Sequence, residues 1–112
     1  MNFVVKAFQP SGILDGINGG KLRREIISAI ETGVDIVLID LQDVNFMNSA
    51  GLGTLLAALR VAKETESKIF ICSLNEQLKM IFEMTKMERV FKIFNNRDEF
   101  KSAILPSEYQ FT

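Results

Sequence analysis

The 112-residue chain contains no histidine and a single cysteine. Without histidine it cannot assemble a Ser-His-Asp or Cys-His nucleophile system, nor a metal site that needs an imidazole ligand. Cys72 alone cannot close an internal disulfide or build a multi-thiolate site. A surplus of either charge is also missing: 13 Lys and Arg against 14 Asp and Glu leave a net −1. No basic excess is available for a phosphate backbone, so nucleic acid is not an expected partner. No apolar run approaches the roughly 20 residues that cross a bilayer. The opening MNFVVKAFQP lacks the charged n-region and long apolar h-region of a signal peptide. Together these absences predict a cytoplasmic chain without membrane attachment, metal or cofactor, and with little equipment for catalysis. What is present is an ordinary globular mix, 47% hydrophobic and 24% charged. A single domain of this length buries roughly two-thirds of the surface its unfolded chain exposes.

Phe3 to Phe8 is short and rich in β-formers, and Pro10-Ser11-Gly12 closes it as a turn. Ile13 and Leu14 offer an extension of its pairing. Asp15 to Gly20, DGINGG, is a loop by composition, with Asn18 a cap for the helix that follows. Leu22, Ile26 and Ile30 place an amphipathic helix over 19–32, ended by Gly33. Val34 to Leu41, VDIVLIDL, is apolar nearly throughout, as a strand covered on both faces should be. Residues 42–48 connect it onward, with Val44, Phe46 and Met47 as core anchors. Leu52, Leu55, Leu56 and Leu59 mark one face of a helix over 50–65. A strand over 68–73, a helix over 75–85 capped by Asn75, a strand over 91–94 and a helix over 97–105 complete the chain. Strands alternating with helices imply a mainly parallel sheet with crossover helices.

Several apparent motifs carry no chemistry. Gly16 to Lys21, GINGGK, misses the Walker A spacing, and Leu22 stands where a magnesium-binding hydroxyl is required. Gly51-Leu52-Gly53 lacks the third glycine of a dinucleotide fingerprint. Cys72, inside an apolar strand, reads as a small packed hydrophobe. Met80, Met84 and Met87 at helical spacing read as core and rim packing.

The informative segment is Asp40 to Gly53, DLQDVNFMNSAGLG. A strand ends, a loop crosses, and Ser49 stands where a helix begins. Ser49 is a good N-cap, and on these residues alone capping is sufficient to explain it. A second account starts from Gly51 and Gly53. Each costs about 1 kcal/mol relative to alanine inside a helix, easier to understand if something approaches the backbone closely. A helix N-terminus also favours anions, so Ser49 could carry a phosphate without unfolding its own helix.

FMNSAGLGTLL after VDIVLIDL resembles the signature of the STAS domain, and within it the stand-alone bacterial anti-sigma factor antagonists. Asp40-Leu41, Phe46-Met47 and Ser49-Ala50-Gly51-Leu52-Gly53 follow the family pattern. Gly12-Ile13-Leu14-Asp15 resembles its earlier Gly-x-Leu-Asp, and Phe82-Glu83-Met84-Thr85 the end of its third helix. The resemblance spans nearly the whole chain. It implies a single α/β domain over 1–105, with a mainly parallel four- or five-stranded sheet and about four helices, followed by a flexible tail over 106–112. It also implies a non-enzymatic binding module. In this family the unmodified protein binds an anti-sigma factor, commonly a serine kinase of the histidine-kinase-like ATPase fold. Phosphorylation of the motif serine releases the complex, and a PP2C-type phosphatase restores the active form.

Carried over by residue, Ser49 is the phosphoacceptor. Asp15 is a contact beside it, and Asn48, Ala50, Gly51 and Gly53 complete the partner-binding set. Asn48 stands where the family most often has Asp, and the N-terminus is about one strand shorter than in many members. The alternative is a STAS scaffold or interaction subunit whose serine is never phosphorylated. A small nucleotide-binding protein is disfavoured by the failed P-loop.

Overall fold

The computed structural model describes residues 3–105. In chain order they form β1 (Val5–Phe8), β2 (Ser11–Leu14), α1 (Gly16–Glu31), β3 (Ile36–Asp40), β4 (Asp43–Met47), α2 (Ser49–Glu64), β5 (Lys68–Cys72), α3 (Glu76–Met84), a 3₁₀ turn at Met87–Arg89, β6 (Lys92–Phe94) and α4 (Arg97–Ile104). The main sheet is parallel throughout, in the order β1-β3-β5-β6. β2 and β4 form a separate parallel pair. Among the described residues no helix is long and apolar enough to cross a membrane. The expected tail over 106–112 lies outside the described residues.

β3 is buried along its whole length because both sheet faces are covered. Val37 and Ile39 look into the larger core with Leu22, Ile26, Leu55, Leu59, Leu78 and Phe82, from the three long helices. Ile36 and Leu38 look the other way, into a smaller core closed by α4 through Phe100. There the rings of Phe70, Phe94 and Phe100 meet at 5.5–6.0 Å between centroids, in tilted and edge-on arrangements that suit their quadrupoles. Asp40, only 2% exposed, accepts from Nε of Arg97 at 2.7 Å. This ion pair ties the first residue of α4 to the end of the central strand.

Four expectations are corrected. DGINGG is not a loop: α1 starts at Gly16, and Asp15, not Asn18, is its N-cap. Residues 43–47 are a strand whose pairing skips Asn45, and this register shift turns both Val44 and Met47 inward while Phe46 stays exposed. On α2, Leu55 and Leu59 are buried, but Leu56 is half-buried because it lies at the margin of the core-facing stripe. Met80 and Met84 project outward, since the buried stripe of α3 runs through Leu78 and Phe82. Asn75 caps α3 as expected, with Oδ1 accepting from the Leu78 N–H at 2.8 Å. Gly33, at φ +109°, terminates α1 in a backbone conformation that L side chains avoid.

Candidate functional site

The candidate site is built by β2 and β4. In their register Leu14 lies beside Met47, so the next residues, Asp15 and Asn48, are the N-caps of two helices leaving side by side. Each cap is extended and each side chain folds over its own first turn. Asp15 Oδ1 accepts from the N–H groups of Ile17 at 3.1 Å and Asn18 at 2.8 Å. Asn48 Oδ1 accepts from the Gly51 N–H at 2.9 Å. The capping role expected of Ser49 therefore falls to Asn48, and Ser49 is the first helical residue of α2. An amide oxygen reaches that N–H as well as a hydroxyl does, so the chain keeps its cap without using the serine.

The two caps are locked together through backbone. Asn48 N–H donates to the Leu14 carbonyl at 3.3 Å. Gly51 is buried against the same carbonyl, and a side chain there would collide with it. Gly19 on α1 likewise leaves room for the Thr54 hydroxyl of α2, which donates to the Gly51 carbonyl at 2.6 Å. The close approach inferred for Gly51 is thus made by the chain's own β2. Nothing lies within 4 Å of a side chain placed at Gly53, which faces open solvent.

Ser49 and Ala50 are exposed, and among the described residues no hydrogen bond engages the Ser49 hydroxyl. Neither α1 nor α2 has an acidic residue in its first turn. Two helix N-termini and one capping carboxylate therefore set the local field. Ile13 and Phe46 are register partners with their side chains outward, and Ile17 stands in the first turn of α1. They are 51%, 39% and 81% exposed. Sequence reasoning missed this apolar surround. Its one signal was Ile17, an isoleucine set among glycine and asparagine in a segment composition otherwise assigns to a loop; the outward turn of Phe46 follows from the register shift at Asn45, which the sequence does not announce. The site thus joins a free hydroxyl, a neutral cap, a carboxylate and three exposed apolar side chains at one end of two helices.

The family model described as the STAS domain matches residues 4–100. An anti-sigma-B factor antagonist of Bacillus subtilis is 28% identical over 83 residues, 74% of this chain and 75% of that protein. One from Listeria monocytogenes is 26% identical over 90 residues, 80% of this chain and 78% of that protein. Among solved structures, the unphosphorylated anti-sigma factor antagonist SpoIIAA superposes with a TM-score of 0.75 at 16% identity, covering 91% of this chain and 90% of that one. Its phosphorylated form from Bacillus gives 0.68 at 14% identity, covering 91% and 93%. At such identities the structures establish the fold.

Proposed function

Because the chain belongs to the STAS domain family, a family of non-enzymatic binding modules, we propose that it binds an anti-sigma factor and that phosphorylation of Ser49 switches that binding off. The observation that carries this reading is the exposed Ser49 hydroxyl at the start of α2, left without a capping duty by Asn48. A kinase must reach that hydroxyl, and a phosphate there leaves the cap of α2 intact. The partner is an anti-sigma factor that is also a serine kinase of the histidine-kinase-like ATPase fold, and a PP2C-type phosphatase reverses the modification. All three act in the cytoplasm.

The switch is electrostatic. Phosphorylation adds about −1.5 to −2 charge at neutral pH. Asp15 is already anionic, and Ile13, Ile17 and Phe46 supply an apolar rim. A partner surface shaped to that rim and a neutral hydroxyl would face an unpaired, desolvated charge, at a cost of several kcal/mol. A micromolar complex is held by about 8 kcal/mol, so much of its affinity would be lost. Asp15, Asn48, Ala50 and Gly53 lie on the contact surface, and Gly51, being buried, shapes it from beneath.

The test compares Ser49→Ala and Ser49→Asp as baits in native lysate, with phosphopeptide analysis of the parent. A kinase-fold protein retained by Ser49→Ala and lost from Ser49→Asp supports the switch. Equal retention, with no phosphate on Ser49, refutes it. Asn48 favours one second reading, since the family's usual aspartate is absent: a scaffold subunit whose serine is not a kinase substrate. Phosphopeptide analysis separates the two.

A further inference from the structure

A parallel pair only two strands wide is marginal by itself, yet β4 delivers Met47, Asn48 and Ser49 to the site. β2 occupies one edge of β4. On the other edge Val44 directs its backbone away from β2. Its N–H donates to the Leu41 carbonyl at 3.0 Å, and its carbonyl accepts from Nδ2 of Asn75 at 3.2 Å. The same side chain caps α3 through Oδ1, and α3 is seated by the fully buried Leu78 and Phe82. One amide therefore joins a helix anchored in the main core to the strand that leads into the candidate serine.

We propose that Asn75 is a positioning residue for the Ser49 site, holding β4 in place through its side-chain N–H; this rests on the reading of Ser49 as the functional serine. The two duties of Asn75 are chemically separable. Capping α3 needs only an acceptor, which Ser or Asp supplies. Holding Val44 needs a donor that reaches 3.2 Å across to a strand edge. Ser is too short for this, and Asp would set a carboxylate against a carbonyl. The start of β4 has its own anchor, since Nε2 of Gln9 donates to Oδ2 of Asp43 at 2.8 Å. Loss of the Asn75 tether should therefore loosen β4 from Val44 onward, and with it the cap of α2, without detaching the strand.

The experiment is residue-resolved amide hydrogen exchange on the full chain carrying Asn75→Ser, Asn75→Asp or Asn75→Ala. In the Ser and Asp variants the amides of Asn48, Gly51 and Leu52, which are bonded within the site, should exchange about five- to tenfold faster. Those of α3 should keep the parent rate. The Ala variant should accelerate both groups. If the Ser and Asp variants leave Asn48, Gly51 and Leu52 at the parent rate, Asn75 is only a helix cap and the proposal falls. It also falls if exchange rises equally throughout the chain. Should Asn75→Asp fail to fold, Asn75→Ser alone decides. The measurement needs no kinase. Its failure would leave the phosphorylation reading to the Ser49 variants, and failure of that reading would leave the exchange result standing.

Discussion

Two glycines two residues apart on α2 should respond to alanine with opposite signs. At Gly51 an added Cβ would lie 2.8 Å from the carbonyl carbon of Leu14 and 3.2 Å from Cγ of Met47, and would overlap the Leu14 oxygen outright. Carbon atoms at rest sit about 3.5–4.0 Å apart, so α2 would have to withdraw from β2 by about 1 Å. The methionine can turn aside, but the carbonyl belongs to a paired strand and cannot. Overpacking of this kind costs about 1–3 kcal/mol, and a backbone obstacle puts Gly51→Ala near the upper end. Against that stands a gain of about 1 kcal/mol from helix propensity, leaving a net loss of about 2 kcal/mol. At Gly53 the added methyl meets nothing within 4 Å, so the propensity gain is unopposed and Gly53→Ala should stabilise by about 0.5–1 kcal/mol. Urea denaturation at a common slope of about 1–3 kcal/mol/M should separate the two midpoints by about 1 M or more. A Gly51→Ala midpoint equal to the parent's, or a Gly53→Ala protein less stable than the parent, would refute the packing argument. The withdrawal would also stretch the 3.3 Å bond from the Asn48 N–H to the Leu14 carbonyl, so Gly51→Ala should shift the Asn48 amide resonance where Gly53→Ala does not.

Other outcomes are equally specific. Leu55→Ala, at a fully buried position, should cost about 2–5 kcal/mol, and Leu56→Ala less than half as much. Equal losses by calorimetry would mean the helix face is misplaced. Arg97→Ala leaves the buried Asp40 carboxylate its Gln42 N–H but no facing cation and should cost about 3 kcal/mol; a change below about 0.5 kcal/mol in chemical denaturation would contradict the ion pair's role. Burial pushes the Cys72 thiol above its ordinary value of 9.0, so it should resist a thiol reagent such as DTNB until the protein unfolds. Because the unfolded thiol ionises first, stability from this group is complete below pH 9.0 and declines as pH rises beyond it. Cys72→Ala should remove that part of the alkaline decline, and an unchanged profile would argue against it.

The elements legible from sequence are those decided locally. VDIVLIDL could only be a strand covered on both faces, and Asn75 before an apolar stripe could only open a helix. Elements decided by distant partners were read poorly. SGIL and DVNFM are too short to declare themselves, and each is a strand only because the other lies alongside. DGINGG has a loop's composition, yet the close crossing of α1 and α2 needs a glycine at Gly19, and Asp15 supplies the cap that starts the helix there. Asn48 and Ser49 are both strong capping residues, so sequence could not choose between them. The choice follows from β4 ending at Met47, which leaves Asn48 extended and Ser49 in the helix.

Every strand pairing among the described residues is parallel, and this bears on how the chain folds. No hairpin is available to nucleate the sheet cheaply. Val5 and Ile36 must meet across about thirty residues, as must Ile36 and Lys68, so the loop-closure entropy of both contacts is lost before either is rewarded. The transition state should therefore be organised around β3 with α1 and α2 already packed on it, while β6 and α4 condense later. During synthesis β3 emerges before β5 exists, with one long edge of its most apolar segment unpaired. That interval, more than any weakness of the finished fold, is when the chain is most exposed to aggregation.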